Sequence, residues 1–265
     1  MMNLSLMDPA FLGSLTSYDP DAAVYIAAVE AADGQALEAG VKDAINAFVL
    51  GCKTDGIWNA IKASCILAGA RTLAGALVPL VGTAPTNFNF VAGDYNRKTG
   101  LVGNGSTKYL NSNRNNNADP QNNQHMAVYS SAPPTSGVRM YIGAGGSTGV
   151  EGSTHINTEP SNQRVVSRNR RFLPVSIDNL GYLVGLYGLS RAESSKYAYR
   201  YGGNFGEHSV SSGTPFNGDI HVFANEAAFL SNARLAFYSI GESLDLALLD
   251  ARVTALVNAL AVAIP

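Results

Sequence analysis

The side chains able to do acid–base, nucleophilic or metal chemistry are scattered along this chain. Cleaving a glycosidic bond takes two carboxylates about 5–5.5 Å apart for retention, or about 6.5–9.5 Å apart for inversion. Glu242-Ser-Leu-Asp245 has the wrong spacing for such a pair and lies where a helix begins, where acids suit the helix dipole. Glu151, Glu159, Glu193 and Glu207 stand alone in polar segments. No Gly-x-Ser-x-Gly elbow presents a serine nucleophile. His125 and His221 fall in alternating apolar runs, and His155 and His208 lie among Gly and Ser. Gly143-Ala-Gly-Gly146 leads to neither a helix nor a lysine, so it reads as a turn and not a phosphate loop. Asp94 near Asn96, and Asp119 near Asn117, are hard oxygen donors by type but match no calcium loop. The sequence assigns no catalytic residue, no metal and no cofactor.

Binding chemistry is better represented. Tyr197, Tyr199 and Tyr201 share one face of a strand by the period of two, close to Arg200 and Arg191. Such a face either packs inside a sheet structure or offers rings and hydroxyls to a sugar. The Asn-rich insert 111–123 contains Asn115 and Asn116. It reads as a solvated loop, or as a loop whose amides donate to and accept from a glycan. Tyr197, Tyr199, Tyr201, Arg200, Asn115 and Asn116 are therefore the candidate glycan-binding residues. Arg164, Arg168, Arg170 and Arg171 form the one local basic cluster, suited to phosphate or sulfated glycan, or to salt bridges with a neighbouring subunit.

The elements that must hold these residues follow from periodicity. Segment 1–20 is an extended arm, broken by Asp8-Pro9 and Asp19-Pro20. Its apolar residues Leu4, Leu6, Phe11, Leu12 and Leu15 look like anchors for a partner. Helices are predicted over 21–33, ended by Gly34, and over 38–53, with Val41, Ile45, Phe48 and Val49 on one face. A short third helix follows Asp55 and carries Trp58. Together 21–63 make an N-terminal helical lobe. From residue 64 onward short apolar runs separated by Gly, Pro and Asn predict a β-sandwich, closed by a helix over 244–260. Leu244, Leu248 and Leu256 lie in an apolar band broad enough for a sandwich edge or a subunit interface. Cys52 and Cys65 are either a disulfide or two buried thiols.

Three motifs carry a family resemblance. They are the Trp58 segment with Leu77-Val-Pro-Leu-Val-Gly82, the run Gly103-Asn-Gly-Ser-Thr-Lys-Tyr-Leu110, and Ala233-Arg-Leu-Ala-Phe-Tyr-Ser-Ile-Gly241 followed by a helix. Together, over 55–260, they resemble the concanavalin A-like (laminin G-like) jelly-roll modules of tailed-bacteriophage structural proteins. The resemblance implies a mainly-β jelly-roll sandwich over 64–265 and a virion structural protein. A tail-fibre or tailspike module reading host-surface glycans is the first expectation, and a capsid decoration protein the alternative. A polysaccharide depolymerase is the weaker alternative, since the Glu-x-Asp-x-x-Glu or Glu-x-Asp-x-Glu run of the family's glucanases is absent, and no enzyme is expected.

Composition agrees. The 265 residues suffice to bury close to three-quarters of the unfolded surface. Charged residues make up 14% and the net charge is −2, so no global field draws in nucleic acid or anionic membrane. Residues 1–15 lack a basic start, and no stretch reads as a membrane span, because Asp250, Arg252 and Asn258 interrupt the last apolar run. Synthesis in a host cytoplasm and residence in a virion are expected. A homo-oligomer, a trimer by preference, is expected through the apolar helices, with other virion proteins bound by the arm.

Overall fold

The computed structural model describes residues 18–135, 137, 139–145, 150–159, 163–181, 183–226 and 229–265. The anchors Leu4, Leu6, Phe11 and Leu12 lie outside the described residues. The helices are α1 (Pro20–Asp33), α2 (Ala39–Thr54), the single turn α3 (Leu73–Ala76) and α4 (Leu246–Ala263). Asp19 caps α1 by accepting from the Asp21 N–H, with Pro20 in the first turn, and Gly34 ends it at a φ of +64°. The expected third helix is only a 3-10 turn, Trp58–Ala60.

Among the described residues, two antiparallel sheets face each other as a jelly-roll type sandwich. The first contains β1 (Ile61–Ile66), β3 (Tyr95–Asn96), β4 (Gly100–Val102), β6 (Gln124–Ala132), β11 (Gly185–Arg191), β12 (Tyr197–Tyr201), β13 (Asn204–His208) and β15 (Arg234–Gly241). Its order is β13, β12, β11, β6, β15, β4, β3, with β1 beside β15. The second contains β2 (Thr86–Phe88), β5 (Tyr109–Asn115), β7 (Arg139–Ala144), β8 (Thr154–Glu159), β9 (Arg164–Asn169), β10 (Val175–Ile177) and β14 (Asp219–Val222). Its order is β10, β9, β8, β7, β14, β5, β2.

The first sheet is buried on both faces. On β6, Met126 and Val128 enter the core between the sheets, while Ala127 and Tyr129 enter the core under the helices. On β15, Leu235, Tyr238 and Ile240 point between the sheets and Ala236 and Phe237 toward the helices. A register irregularity between Leu235 and Phe237 lets two successive residues take the helix side. The helices therefore form a third layer on this sheet and share its core, so they are not detached from it. The boundary expected at residue 63 falls inside β1, where Ile61 joins the helix-side core and Cys65 the inter-sheet core.

Helix α4 is long and apolar enough, with mean hydropathy 1.7, to match a membrane span by length and composition. Its apolar residues work inside the chain instead. Leu249, Val253, Leu256 and Leu260 are buried against the helix-side core, and Leu244 and Leu248 pack on that same core. Its charged residues also turn inward: Arg252 makes two hydrogen bonds to the Asp55 carboxylate, at 2.6 and 2.8 Å, and Asp250 pairs with Arg200. Leu256 is thus buried inside the chain, while Leu244 and Leu248 pack on the same core and stay partly exposed.

Both cysteines are free and buried, Cys52 under the helices and Cys65 between the sheets, which places them in different cores. Burial pushes both thiols up to about 12. The native protein should leave both unmodified by a thiol reagent at neutral pH, with both released together in denaturant. A fast-reacting thiol in native protein would contradict this. Phe237 meets Phe48 edge-on at 5.6 Å. Phe237→Ala should cost about 3–5 kcal/mol by urea denaturation, whereas Val262→Ser, at a site 87% exposed, should leave the midpoint nearly unchanged.

Candidate functional site

The helix layer is narrower than the sheet it covers. Helix α4 passes over β11, and Leu246 sits against Gly188, where a Cβ would approach its Cδ2 to 2.9 Å. Beyond that point α4 covers β12 only in part, through the Arg200–Asp250 pair, and leaves the same face of β13 open. The two strands join through Gly202-Gly203, both at positive φ, so the hairpin closes in two residues with Tyr201 opposite Asn204. That register puts Ala198 opposite Glu207 and Arg200 opposite Phe205. These four side chains share the open face.

The result is a groove of about 390 Å³, floored by Ala198, Arg200, Phe205 and Glu207 and walled by 244–247. It continues into a hollow of about 320 Å³ lined by Ser190, Glu193 and Lys196, sharing Ala198, Glu207 and Leu244. Phe205 is 73% exposed beside it. The Arg200 guanidinium lies 5.5 Å from the Phe205 ring centroid and pairs with Asp250, which fixes it over the ring. Lys196 bridges to Glu207 at 2.9 Å.

The wall is pinned by buried polar groups. The Nδ1 of His125 donates to the Glu242 carbonyl at 2.5 Å, and its Nε2 accepts from the Ser239 hydroxyl at 2.7 Å. Asn123 accepts from the Ser243 N–H and hydroxyl at 2.8 and 2.6 Å. Ser190 donates to the Leu244 carbonyl at 2.7 Å and accepts from its N–H at 3.0 Å. Asp245 then caps α4 through the Ala247 N–H at 2.7 Å. The carboxylates at the groove are thereby engaged: Asp245 on the helix, Asp250 with Arg200, Glu207 with Lys196. Among the described residues no group of three or more His, Cys, Asp or Glu converges as a metal site.

The candidates named from the sequence divide. Arg200 lines the groove, whereas the Tyr199 ring lies on the other face of β12, stacked on Tyr201 at 4.8 Å and on His208 at 4.5 Å. Tyr197 and Tyr201 do not offer their rings to a ligand, because their shared face points between the sheets. Their hydroxyls meet Ser167 on β9, at 2.9 and 2.8 Å, and both residues are at most 2% exposed. Asn116 is buried as well, donating to the Gly152 and Phe216 carbonyls at 3.1 and 3.2 Å. Asn115 binds the Asn217 side chain at 2.8 Å. The Asn-rich insert is ordered, since β5 extends to Asn115. Arg114 then pairs with Asp119, and the buried Arg170 donates to the Asn116 and Asp119 carbonyls at 2.7 and 2.8 Å. Neither Phe205 nor Lys196 is named from the sequence, where Glu207, which lies on β13, reads only as an isolated acid in a polar segment. Their signal was the alternation that follows the Gly202-Gly203 turn.

No family model matches the sequence, and no curated protein matches it. Solved structures are similar to parts of the chain. The botulinum neurotoxin serotype D binding domain is 14% identical, with a TM-score of 0.48, over 74% of this chain and 52% of that one. The enzymatically active domain of bacteriophage CBA120 tailspike protein 2 is 15% identical, TM-score 0.42, over 62% and 28%. Ruminococcus gnavus IT-sialidase CBM40 bound to α2,3 sialyllactose is 11% identical, TM-score 0.37, over 50% and 82%. The chain spans about half the length of the neurotoxin domain and about a quarter of the tailspike chain. At these scores the likeness carries no functional argument.

Burial pushes His125 down to about 4 and His155 down to about 3, against about 6.5 in an unfolded chain. Both stay neutral in the folded protein, while the unfolded chain takes up protons below about pH 6.5. Stability is therefore full above that pH and falls as pH drops toward the folded values. Urea unfolding between pH 7.5 and 5 should show this decline, and His125→Gln should flatten it. An unchanged slope in the variant would remove His125 as its source.

Proposed function

We propose that this protein is a non-catalytic glycan-binding module of a bacteriophage virion, of the tail-fibre or tailspike type. The observation that carries the binding role is Phe205, an exposed ring held by the hairpin beside an open groove with Arg200, Lys196 and Glu207 around it. An aromatic face covers the apolar side of a sugar ring, and fixed polar groups beside it meet the hydroxyls. The groove is shallow and open, which suits one side of a saccharide chain better than an enclosed small molecule. The virion assignment rests on the three sequence motifs, and attachment to other virion proteins is assigned to the N-terminal arm.

Phe205→Ala should weaken binding of the recognised oligosaccharide at least about tenfold in titration calorimetry, with an unchanged melting temperature. Equal affinity in the variant would place the site elsewhere. Incubation with host-surface polysaccharide should release no new reducing ends. Release that disappears on replacing Glu207 or Asp245 by the amide would make the protein a hydrolase instead.

A further inference from the structure

Helix α4 is apolar on its outer side as well as on the side it buries. Its exposed residues are five alanines, Asn258 and Val262, and its two charged residues, Asp250 and Arg252, are engaged with Arg200 and Asp55. A helix at the surface of a globular protein carries polar and charged residues on its outer face, and one that is apolar all round is covered.

Between α4 and α2 that face is hollow. The two helices run antiparallel and meet closely at both ends. A Cβ on Gly40 would lie 2.9 Å from the Ala263 Cβ, and one on Gly51 would lie 2.8 Å from the Arg252 Cδ. Midway, Ala44 and Ala47 on α2 and Ala255 and Ala259 on α4 leave a trough of about 190 Å³, lined also by Phe48 and Leu256. Phe48 and Leu256 belong to the helix-side core, so the trough opens onto that core. Ala47, Ala255 and Ala259 are exposed along its rim.

The chain enters the described structure beside this trough. Tyr18 donates its hydroxyl to Asp43 on α2 at 3.1 Å, and the Asp19 N–H donates to the Asn46 side chain at 2.7 Å. Asp43 lies four residues before Ala47, one turn away on the same side of α2. Residues 1–17 precede Tyr18 and contain a single charged side chain, Asp8. At about 3.3–3.6 Å per extended residue, Leu15 reaches up to about 10 Å from Tyr18 and Phe11 up to about 25 Å. That is about the length of α2, whose 16 residues rise about 24 Å.

We propose that Phe11, Leu12 and Leu15 seat in the α2–α4 trough of their own chain and close the helix-side core. An uncharged apolar segment meets an uncharged apolar face, and the contact removes both from water. A tether this short holds the segment at about millimolar local concentration, so in dilute solution it outcompetes the same segment of a second copy. The inference goes beyond the glycan reading and is independent of it. It bears on attachment, because an arm held on its own helix layer must be displaced by the virion partner that takes it, and the trough is then uncovered.

Nuclear Overhauser contacts in the full chain, labelled at Ala and Leu methyls and at Phe rings, test this. Contacts from the Ala255 and Ala259 methyls to the Phe11 ring and to the Leu12 and Leu15 methyls are expected. The Ala259 contacts should be lost in Ala255→Glu, which puts a charge on the exposed rim. If Ala255→Glu melts early, the double change Phe11→Ser with Leu12→Ser is used, read by loss of the Leu15 contacts. Absence of these contacts in the unmodified chain, or their persistence in the variant, would overturn the proposal. Contacts that arise only between labelled and unlabelled chains in a mixed sample would give the trough to a second copy and overturn it as well.

Discussion

Everything in this molecule depends on one sheet being buried on both of its faces. Strands β6 and β15 send alternate residues into two separate cores, one against the second sheet and one under α1, α2 and α4. Such strands cannot carry the polar–apolar alternation of a half-exposed sheet, which is why 233–241 reads as a nearly continuous apolar run broken by Arg234 and Ser239. The same burial fixes the helices, since the third layer exists to cover a face that water would otherwise meet. Where the sheet extends past the helices, a groove is left. The site is thus a geometric remainder of the layer that stabilises the fold.

Buried polar groups do a second job at the loop end of the sandwich. Arg170 and Arg191 are fully buried with no carboxylate partner among the described residues, and they spend their N–H groups on carbonyls of chain segments that have no sheet partner. A carbonyl buried without a donor is costly, so one guanidinium that serves several of them holds a whole loop in place. His125 acts likewise on the link from β15 to α4, which is the groove wall. Loops built this way are rigid enough to present fixed contacts, and an Asn-rich insert that looks solvated becomes part of the scaffold.

Much of the architecture is legible in the amino-acid sequence. The helices around 21–33, 38–53 and 244–260, the Gly34 stop and the sandwich itself follow from apolar period and turn residues. Three things are not. β8 and β9, Thr154–Glu159 and Arg164–Asn169, carry Thr, Asn, Ser and Arg in place of an apolar stripe, because neighbouring side chains satisfy those groups: Ser167 meets two tyrosine hydroxyls and Asn169 meets Arg191. The segment after Asp55 has helical spacing but turns into β1, where pairing with β15 outweighs local preference. The tyrosine face on β12 has the period of a platform and of a core alike. Only the second sheet opposite decides for the core, and this moves the aromatic contact from Tyr197 and Tyr201 to Phe205 on β13.

The central claim is that the open face of β13 and the part of β12 that α4 leaves uncovered, with the wall before α4, are where a saccharide lies. Hydrogen exchange of the full chain, with and without a bound oligosaccharide, tests it most directly. The account predicts slowed exchange confined to the backbone amides of 196–208 and 242–248. Protection centred on the loops of the second sheet, with these two segments unchanged, would contradict it.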